Sequence, residues 1–308
     1  MFKFDFEVED PAPSKIQTSP GASEVETGVL SSNVLDEYAE LSLIELLDAL
    51  PPAISYSRLI IPSEGEVPIV LPRRDLYDAR FQLLSLPTGL NFVDAPSDLV
   101  PGVYEGGLKT WECSIDLAAY LASLTSRPSC HPQWIRGKHV LEVGCGTAIP
   151  TLYLLHQLFN YSNVENIYPH PETETVIHLQ DYNRTAIELV RIRKISNMIV
   201  ESRSDDCHPE TDVEISPELI DAFCASLRSL HITLRFFTGS WKSLLETKTS
   251  VLHTMVRPYD IVLTSETIYR QASLESLIGG PSWCLVAAKV VYFGVGGGVN
   301  EFLRAING

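Results

Sequence analysis

The stretch Lys138–Thr151, KHVLEVGCGTAIPT, constrains this chain more than any other. Val140, Leu141 and Val143 form a short apolar run that predicts a buried β-strand. Gly144-Cys145-Gly146 then turns the backbone sharply with little side-chain bulk. Pro150 suits the first turn of a following helix, where its missing N–H has no intrahelical partner to lose. Strand, glycine turn and helix open a nucleotide-type α/β fold, with the ligand outside the carboxyl end of the strand.

Glu142 and Ala148 narrow the ligand. A dinucleotide site puts a third glycine where Ala148 stands, against a pyrophosphate at the helix N-terminus. An acid at Glu142 adds nothing to a pyrophosphate loop. The pattern Glu142-x-Gly144-x-Gly146 resembles the acid-x-Gly-x-Gly turn of S-adenosylmethionine-dependent methyltransferases, whose cofactor carries cationic sulfonium and ammonium groups and no phosphate. The other reading is a purely structural β-α turn.

Further strand ends follow. Val176–Gln180 reads as a second strand ending at Asp181, an acid placed to accept both ribose hydroxyls. Its distance from Gly144 exceeds the usual spacing of about 20 residues, and the polar insertion Asn160–Thr175 accounts for the excess. Ile232–Phe237 is a third strand, with Gly239, Ser240 and Trp241 at its end, where an adenine would lie. A fourth, within YDIVLTSETIY, leads to Ser265, Glu266 and Tyr269. Cys284–Phe293 is a fifth, and the Gly294–Gly298 loop after it lacks the Lys-Ser/Thr of a phosphate cradle. One edge of a parallel sheet would thus carry Glu142/Gly144, Asp181, Ser240/Trp241 and Ser265/Glu266, with Glu142 and Gly146 of the first turn among the expected cofactor contacts. Helices are expected over Thr151–Phe159, from Asn183 or Thr185 to Ile195, over Leu274–Ile278 and over Glu218–Leu230, with Glu201–Pro217 an acidic loop.

Upstream, residues 1–32 are acidic and rich in Pro, Ser, Gly and Thr, which predicts a mostly disordered tail. Alternating Phe2, Phe4 and Phe6 leave a short strand or docking tail as the other reading. Residues 33–97 read as an extension wrapping a catalytic domain of residues 98–308. It comprises a helix from Val34 to Leu50, with Leu35, Ala39, Leu43, Leu46 and Leu47 on one face, and short strands broken by prolines. Gly102, Gly106 and Gly107 make a loop before Trp111, which opens a helix and either lines a cofactor cavity or anchors the loop.

Composition excludes several classes. The net charge of −16 argues against a nucleic-acid surface and suits a basic protein partner, or solubility alone. No apolar run is long enough to span a bilayer, and MFKFDFEVED lacks a secretory pattern. The six cysteines form no CxxC pair, which fits a reducing cytosolic or nuclear compartment. No pair of the eight histidines has metal-ligand spacing.

The segments YEGGLKTWECSIDL, LEVGCGTAIP, QDYN, RFFTGSW, DIVLTSETIY and YFGVGGG, in this order, resemble the histidine protein methyltransferases. These belong to the seven-β-strand S-adenosylmethionine class and to its branch with an Asp/Glu-x-x-Phe/Tyr motif after strand four, matched by Glu266-Thr-Ile-Tyr269. The resemblance runs from about Asp98 to Asn300. It implies a Rossmann-like class I methyltransferase sheet with helices on both faces and S-adenosylmethionine as cofactor, with S-adenosylhomocysteine as product. The implied cofactor contacts are Trp111, Glu112, Cys113, Gly144, Gln180, Asp181, Tyr182, Gly239, Ser240, Trp241 and Ser265. The implied target is one histidine of a large-subunit ribosomal protein, methylated at the tele nitrogen, in cytoplasm and nucleus. The family continues through a helix into two more strands, which are missing from this chain's pattern.

Glu266 is the candidate partner for the second ring nitrogen of the target, fixing its tautomer and taking its proton; the other reading is a structural hydrogen bond. Tyr269 and Asn183 are candidates for shaping the pocket. The branch motif also occurs in protein-lysine methyltransferases, which gives a second enzymatic reading, and a non-catalytic binding protein is a third.

Overall fold

A computed structural model describes residues 38–62, 68–74, 99–100, 104–105, 109–125, 134–160, 173–182, 210–241, 258–269, 284–290, 292 and 297–307. The predicted N-terminal tail, the helix expected from Asn183 or Thr185 to Ile195, Asn183 itself and the Leu274–Ile278 helix lie outside these residues.

The Val140–Val143 run forms strand β6 (His139–Val143), with the elements before it being β1 (Ala39–Leu41), α1 (Leu43–Asp48), β2 (Ala53–Ile61), β3 (Ile69–Arg74), the two-residue pair β4 (Leu99–Val100) and β5 (Tyr104–Glu105), and α2 (Glu112–Thr125). After it come α3 (Ile149–Asn160), β7 (Thr175–Asp181), β8 (Glu210–Glu214), α4 (Pro217–Ser229), β9 (Ile232–Thr238), β10 (Ile261–Ser265), β11 (Cys284–Ala287) and α5 (Val299–Asn307). The main sheet has the order β1-β9-β7-β6-β10-β11. Its strands β9, β7, β6, β10 and β11 run parallel, and only β1 is antiparallel. The chain builds outward from β6 through β7 to β9, then returns to the other side of β6 with β10. The switch point therefore lies between β6 and β10, where open α/β sheets bind ligands.

Burial explains the central strands. All seven residues of β7 are buried, as expected of a parallel strand covered on both faces. Leu117 and Leu121 of α2, Leu152 and Leu155 of α3, and Ile177 and Leu179 of β7 share one apolar core. Each such side chain contributes roughly 1.5–3 kcal/mol of transfer free energy. The buried His178 of β7 is bound through Nδ1 to the Tyr259 hydroxyl at 2.6 Å.

The extension departs from the expected layout. Within the helix predicted from Val34 to Leu50, the described residues form α1 alone, and Ala39–Leu41 instead pairs antiparallel with Phe236–Thr238 of β9. Tyr38 stacks on Phe237 at 5.6 Å, and the Arg235 guanidinium donates two hydrogen bonds of 2.6 Å to the Glu40 carboxylate. Helical spacing is real in this segment, but an open sheet edge with unpaired backbone groups is the stronger competitor. Glu201–Pro217 is not all loop: Glu210–Glu214 is β8, which pairs with β2 in a three-stranded sheet of order β3-β2-β8. The extension thus shares one sheet with the catalytic region and adds a strand to the other. The fifth strand ends at Ala287, well before Phe293. Among the described residues β11 is the outer strand on its side, and β1 occupies the opposite edge.

Candidate active site

The glycine turn after β6 is held by its neighbours. Gly144 (φ +60°) and Gly146 (φ +45°) take left-handed conformations that suit glycine. A Cβ on Gly144 would come within 2.6 Å of Thr267 Cγ2 and 3.7 Å of Trp241 Cζ2, so the ends of β9 and β10 close on this turn. Gln180 is fully buried and ties three elements together: its Oε1 accepts from the Gly144 N–H at 3.3 Å and its Nε2 donates to the Gly239 carbonyl at 2.7 Å. The Thr110 hydroxyl donates to Thr147 Oγ1 at 3.2 Å and joins the approach to α2 to the same turn.

The backbone amides of the turn are already engaged. Gly146 N–H donates to Asp181 Oδ2 at 2.8 Å, Cys145 N–H to the Gln180 carbonyl at 2.9 Å, and Ala148 N–H to the Cys145 carbonyl at 2.6 Å. A phosphate cradle needs such groups turned to the ligand. Here carboxylates and carbonyls take them, and the acids of the turn favour a cationic ligand over an anionic one.

Glu142 does not meet the expectation of a cofactor contact. Its side chain is buried, and Oε2 accepts from the Thr151 N–H at 3.0 Å and from the Thr151 hydroxyl, in the first turn of α3. The acid acts through the helix N-terminus, where a negative charge is stabilised. Gln180 and Asp181 are likewise buried and bound to the turn. Trp111, Gly144, Gly146, Tyr182, Ser240, Trp241 and Ser265 are half-buried, while Gly239 is buried.

Glu266 stands at the end of β10 with a left-handed backbone (φ +56°), a sparsely populated conformation for a residue with a side chain. Such strain gathers at functional sites. Its N–H donates to the Ala287 carbonyl at 2.9 Å. Its carboxylate is buried; Oε2 accepts from the Tyr292 hydroxyl at 2.6 Å, and Oε1 has no hydrogen-bond partner among the described residues. The Lys289 ammonium lies 3.9 Å from Oε1 and 3.1 Å from Glu112 Oε2, 5.6 Å from the centre of the Trp111 ring. Tyr269 meets Tyr292 edge-on at 6.3 Å.

The charges around Glu266 follow from this packing. Burial, with the Glu266 carboxylate beside it, pushes the Cys113 thiol up to about 12. Burial and the bond to Glu266 raise the Tyr292 phenol far above its ordinary value, so both groups stay protonated. The hydrogen bond to Lys289 lowers the Glu112 carboxyl, and the same bond raises the Lys289 ammonium.

Several known proteins are similar to this chain over much of its length. It is 31% identical over 278 residues to histidine protein methyltransferase 1 of Schizosaccharomyces pombe, covering 85% of this chain and 74% of that relative. The chain belongs to the histidine protein methyltransferases. It is 32% identical over 217 residues to the Bos taurus homolog, covering 68% of this chain, and 28% identical over 269 residues to the Saccharomyces cerevisiae protein. It spans 50% of the bovine relative's length and 67% of the budding-yeast one's. No family model matches the chain. Among the described residues no helix is long and apolar enough to cross a membrane.

Within this family's site, the sequence patterns pointed to Trp111, Glu112, Cys113 and Glu266, and the structure brings all four together. They left out Lys289, Tyr292 and Thr267. Tyr292 sits inside the family segment YFGVGGG, so the signal was present without a role attached to it.

Proposed function

We propose that this chain transfers a methyl group from S-adenosylmethionine to the tele nitrogen of a histidine in a basic protein, a large-subunit ribosomal protein by family resemblance, releasing S-adenosylhomocysteine. The observation that carries this reading is Glu266: a buried carboxylate on a left-handed backbone, at the sheet's switch point, with one oxygen unfilled. Two further features support the cofactor half. The amides of the glycine turn are taken by protein acceptors, which leaves no cradle for a pyrophosphate. Trp241 closes on that turn, Trp111 and Ser240 are half-buried, and the Asp181 carboxylate holds the Gly146 amide.

The bound cofactor supplies an electrophilic methyl on a sulfonium sulfur. The chain's own task is to hold the nucleophile in line with it, where orientation alone is worth several kcal/mol. A histidine with a pKa near ~6.5 is largely neutral at pH 7, so no strong base is required. Glu266 Oε1 accepts the N–H of the other ring nitrogen, which leaves the tele lone pair facing the methyl. As the N–C bond forms and the S–C bond breaks, Glu266 takes that proton. Tyr269, edge-on to the Tyr292 ring, walls the pocket on that side. The net charge of −16 suits a basic target, and the absence of CxxC pairs fits action in cytoplasm and nucleus.

A lysine target of the same branch separates from a histidine target by its pH dependence: a lysine reacts as the neutral amine and its rate climbs steeply through the neutral range, whereas a histidine reaction flattens above its pKa. Two measurements test the reading. Calorimetry with S-adenosylhomocysteine is expected to show binding and with NAD none; the reverse overturns the cofactor assignment. Labelled methyl transfer to unmodified large-subunit ribosomal proteins is expected, and no transfer despite donor binding favours the binding-protein reading.

A further inference from the structure

We propose that Tyr292 and Lys289 are positioning residues for the transfer, fixing Glu266 so that Oε2 is occupied and Oε1 is left for the ring N–H of the target. This rests on the role of Glu266 proposed above.

A free carboxylate rotates and offers either oxygen. Here the Lys289 backbone N–H donates to the Tyr292 hydroxyl oxygen at 3.2 Å, and that hydroxyl donates to Glu266 Oε2 at 2.6 Å. The second bond has the short length of an O–H donating to a charged oxygen, and the first polarises it further. The Glu266 N–H is bound to Ala287, so β11 and the residues after it hold both backbone and side chain of the acid. A residue kept on a left-handed backbone needs such over-determination.

Lys289 acts differently. At 3.9 Å its ammonium is too far from Oε1 to fill a lone pair, yet near enough to offset the buried charge. Glu112, at 3.1 Å, and the face of Trp111 keep it there. The carboxylate is thus charge-balanced with one acceptor still vacant, as a neutral N–H donor requires. The titratable groups facing Glu266 are Glu112 and Cys113 of α2, Tyr292 and Lys289 after β11, and Tyr269 across the Tyr292 ring.

The test is steady-state kinetics of the full chain with labelled donor and unmodified large-subunit ribosomal proteins, with donor affinity measured separately. Tyr292→Phe is expected to lower kcat about 10- to 100-fold, the range of one proton-handling contact, with donor affinity unchanged. Lys289→Met is expected to lower kcat at unchanged donor affinity, because it removes the cation beside the Glu266 carboxylate. Lys289→Arg is expected to restore most of kcat. Lys289 is partly exposed, so its variants keep the test informative if Tyr292→Phe does not fold. Wild-type kcat in Tyr292→Phe and Lys289→Met, beside a Glu266→Gln variant that has lost it, overturns the positioning role alone. Full turnover in Glu266→Gln overturns the reading of Glu266 itself. An equal loss of kcat and donor affinity in Tyr292→Phe assigns Tyr292 to the cofactor cavity and also overturns the proposal.

Discussion

Tyr292 donates its hydroxyl to Glu266 Oε2 at 2.6 Å, joining the segment after β11 to the left-handed end of β10. The bond ties residues 26 positions apart and engages one oxygen of the acid, while the other is buried with no hydrogen-bond partner among the described residues. The role proposed for Glu266 depends on that asymmetry.

Glu266→Gln keeps the shape of the side chain and removes its charge and its capacity to take a proton. Single-turnover rates are expected to fall by about 10²–10⁴, with S-adenosylhomocysteine affinity unchanged in calorimetry. An unchanged rate contradicts the role given to Glu266.

Thr151→Val removes one donor to the buried Glu142 carboxylate at nearly constant volume. Leaving a buried acceptor short of a partner costs roughly 1–3 kcal/mol. A lower urea midpoint at constant m is the expected result, and no change in midpoint means that Glu142 finds another partner.

The strand ends that carry the candidate site were legible in the sequence, and the departures have physical causes. The β6 run and its glycine turn stand out because a buried parallel strand reads as an unbroken apolar stretch. Glu142 misled for a reason visible only in three dimensions. Side chains alternate along a strand; Leu141 and Val143 pack with Tyr259 and Val262, and Glu142 therefore points the other way, toward α3. β1 was hidden under a helical spacing, since a three-residue edge strand is fixed by its partner Phe236–Thr238 and not by its own pattern. β8 was hidden by its acidity, which an edge position tolerates. Lys289 and Tyr292 fall inside the strand expected over Cys284–Phe293, but β11 ends at Ala287 and leaves both beyond it, where strand alternation no longer assigns a direction.

Gly297→Ala places a Cβ 2.2 Å from the Tyr269 carbonyl carbon and 2.5 Å from the Ile268 carbonyl oxygen. Backbone cannot swing aside as a flexible side chain does. A loss of about 1–3 kcal/mol from overpacking is expected, together with reduced turnover as the Glu266 turn shifts. Denaturant titration and the transfer assay check both, and wild-type values in both contradict this packing.

Cys113 is held up to about 12 by burial first and by Glu266 second. An unfolded thiol titrates near ~8.5, so the protonated form is favoured by the fold. Its contribution to stability is complete below about 8.5 and is lost as pH rises toward the folded value. Iodoacetamide at pH 9 is expected to alkylate Cys113 at least about 100-fold more slowly in the native protein than in urea, because the thiolate is the nucleophile. Equal rates contradict the placement beside Glu266.

The most direct test of the central claim is the identity of the methylated residue. Large-subunit ribosomal proteins are incubated with the protein and isotopically labelled S-adenosylmethionine, hydrolysed, and analysed by mass spectrometry. Labelled tele-methylhistidine, lost in Glu266→Gln, is the result this account predicts. Labelled methyllysine in its place contradicts it.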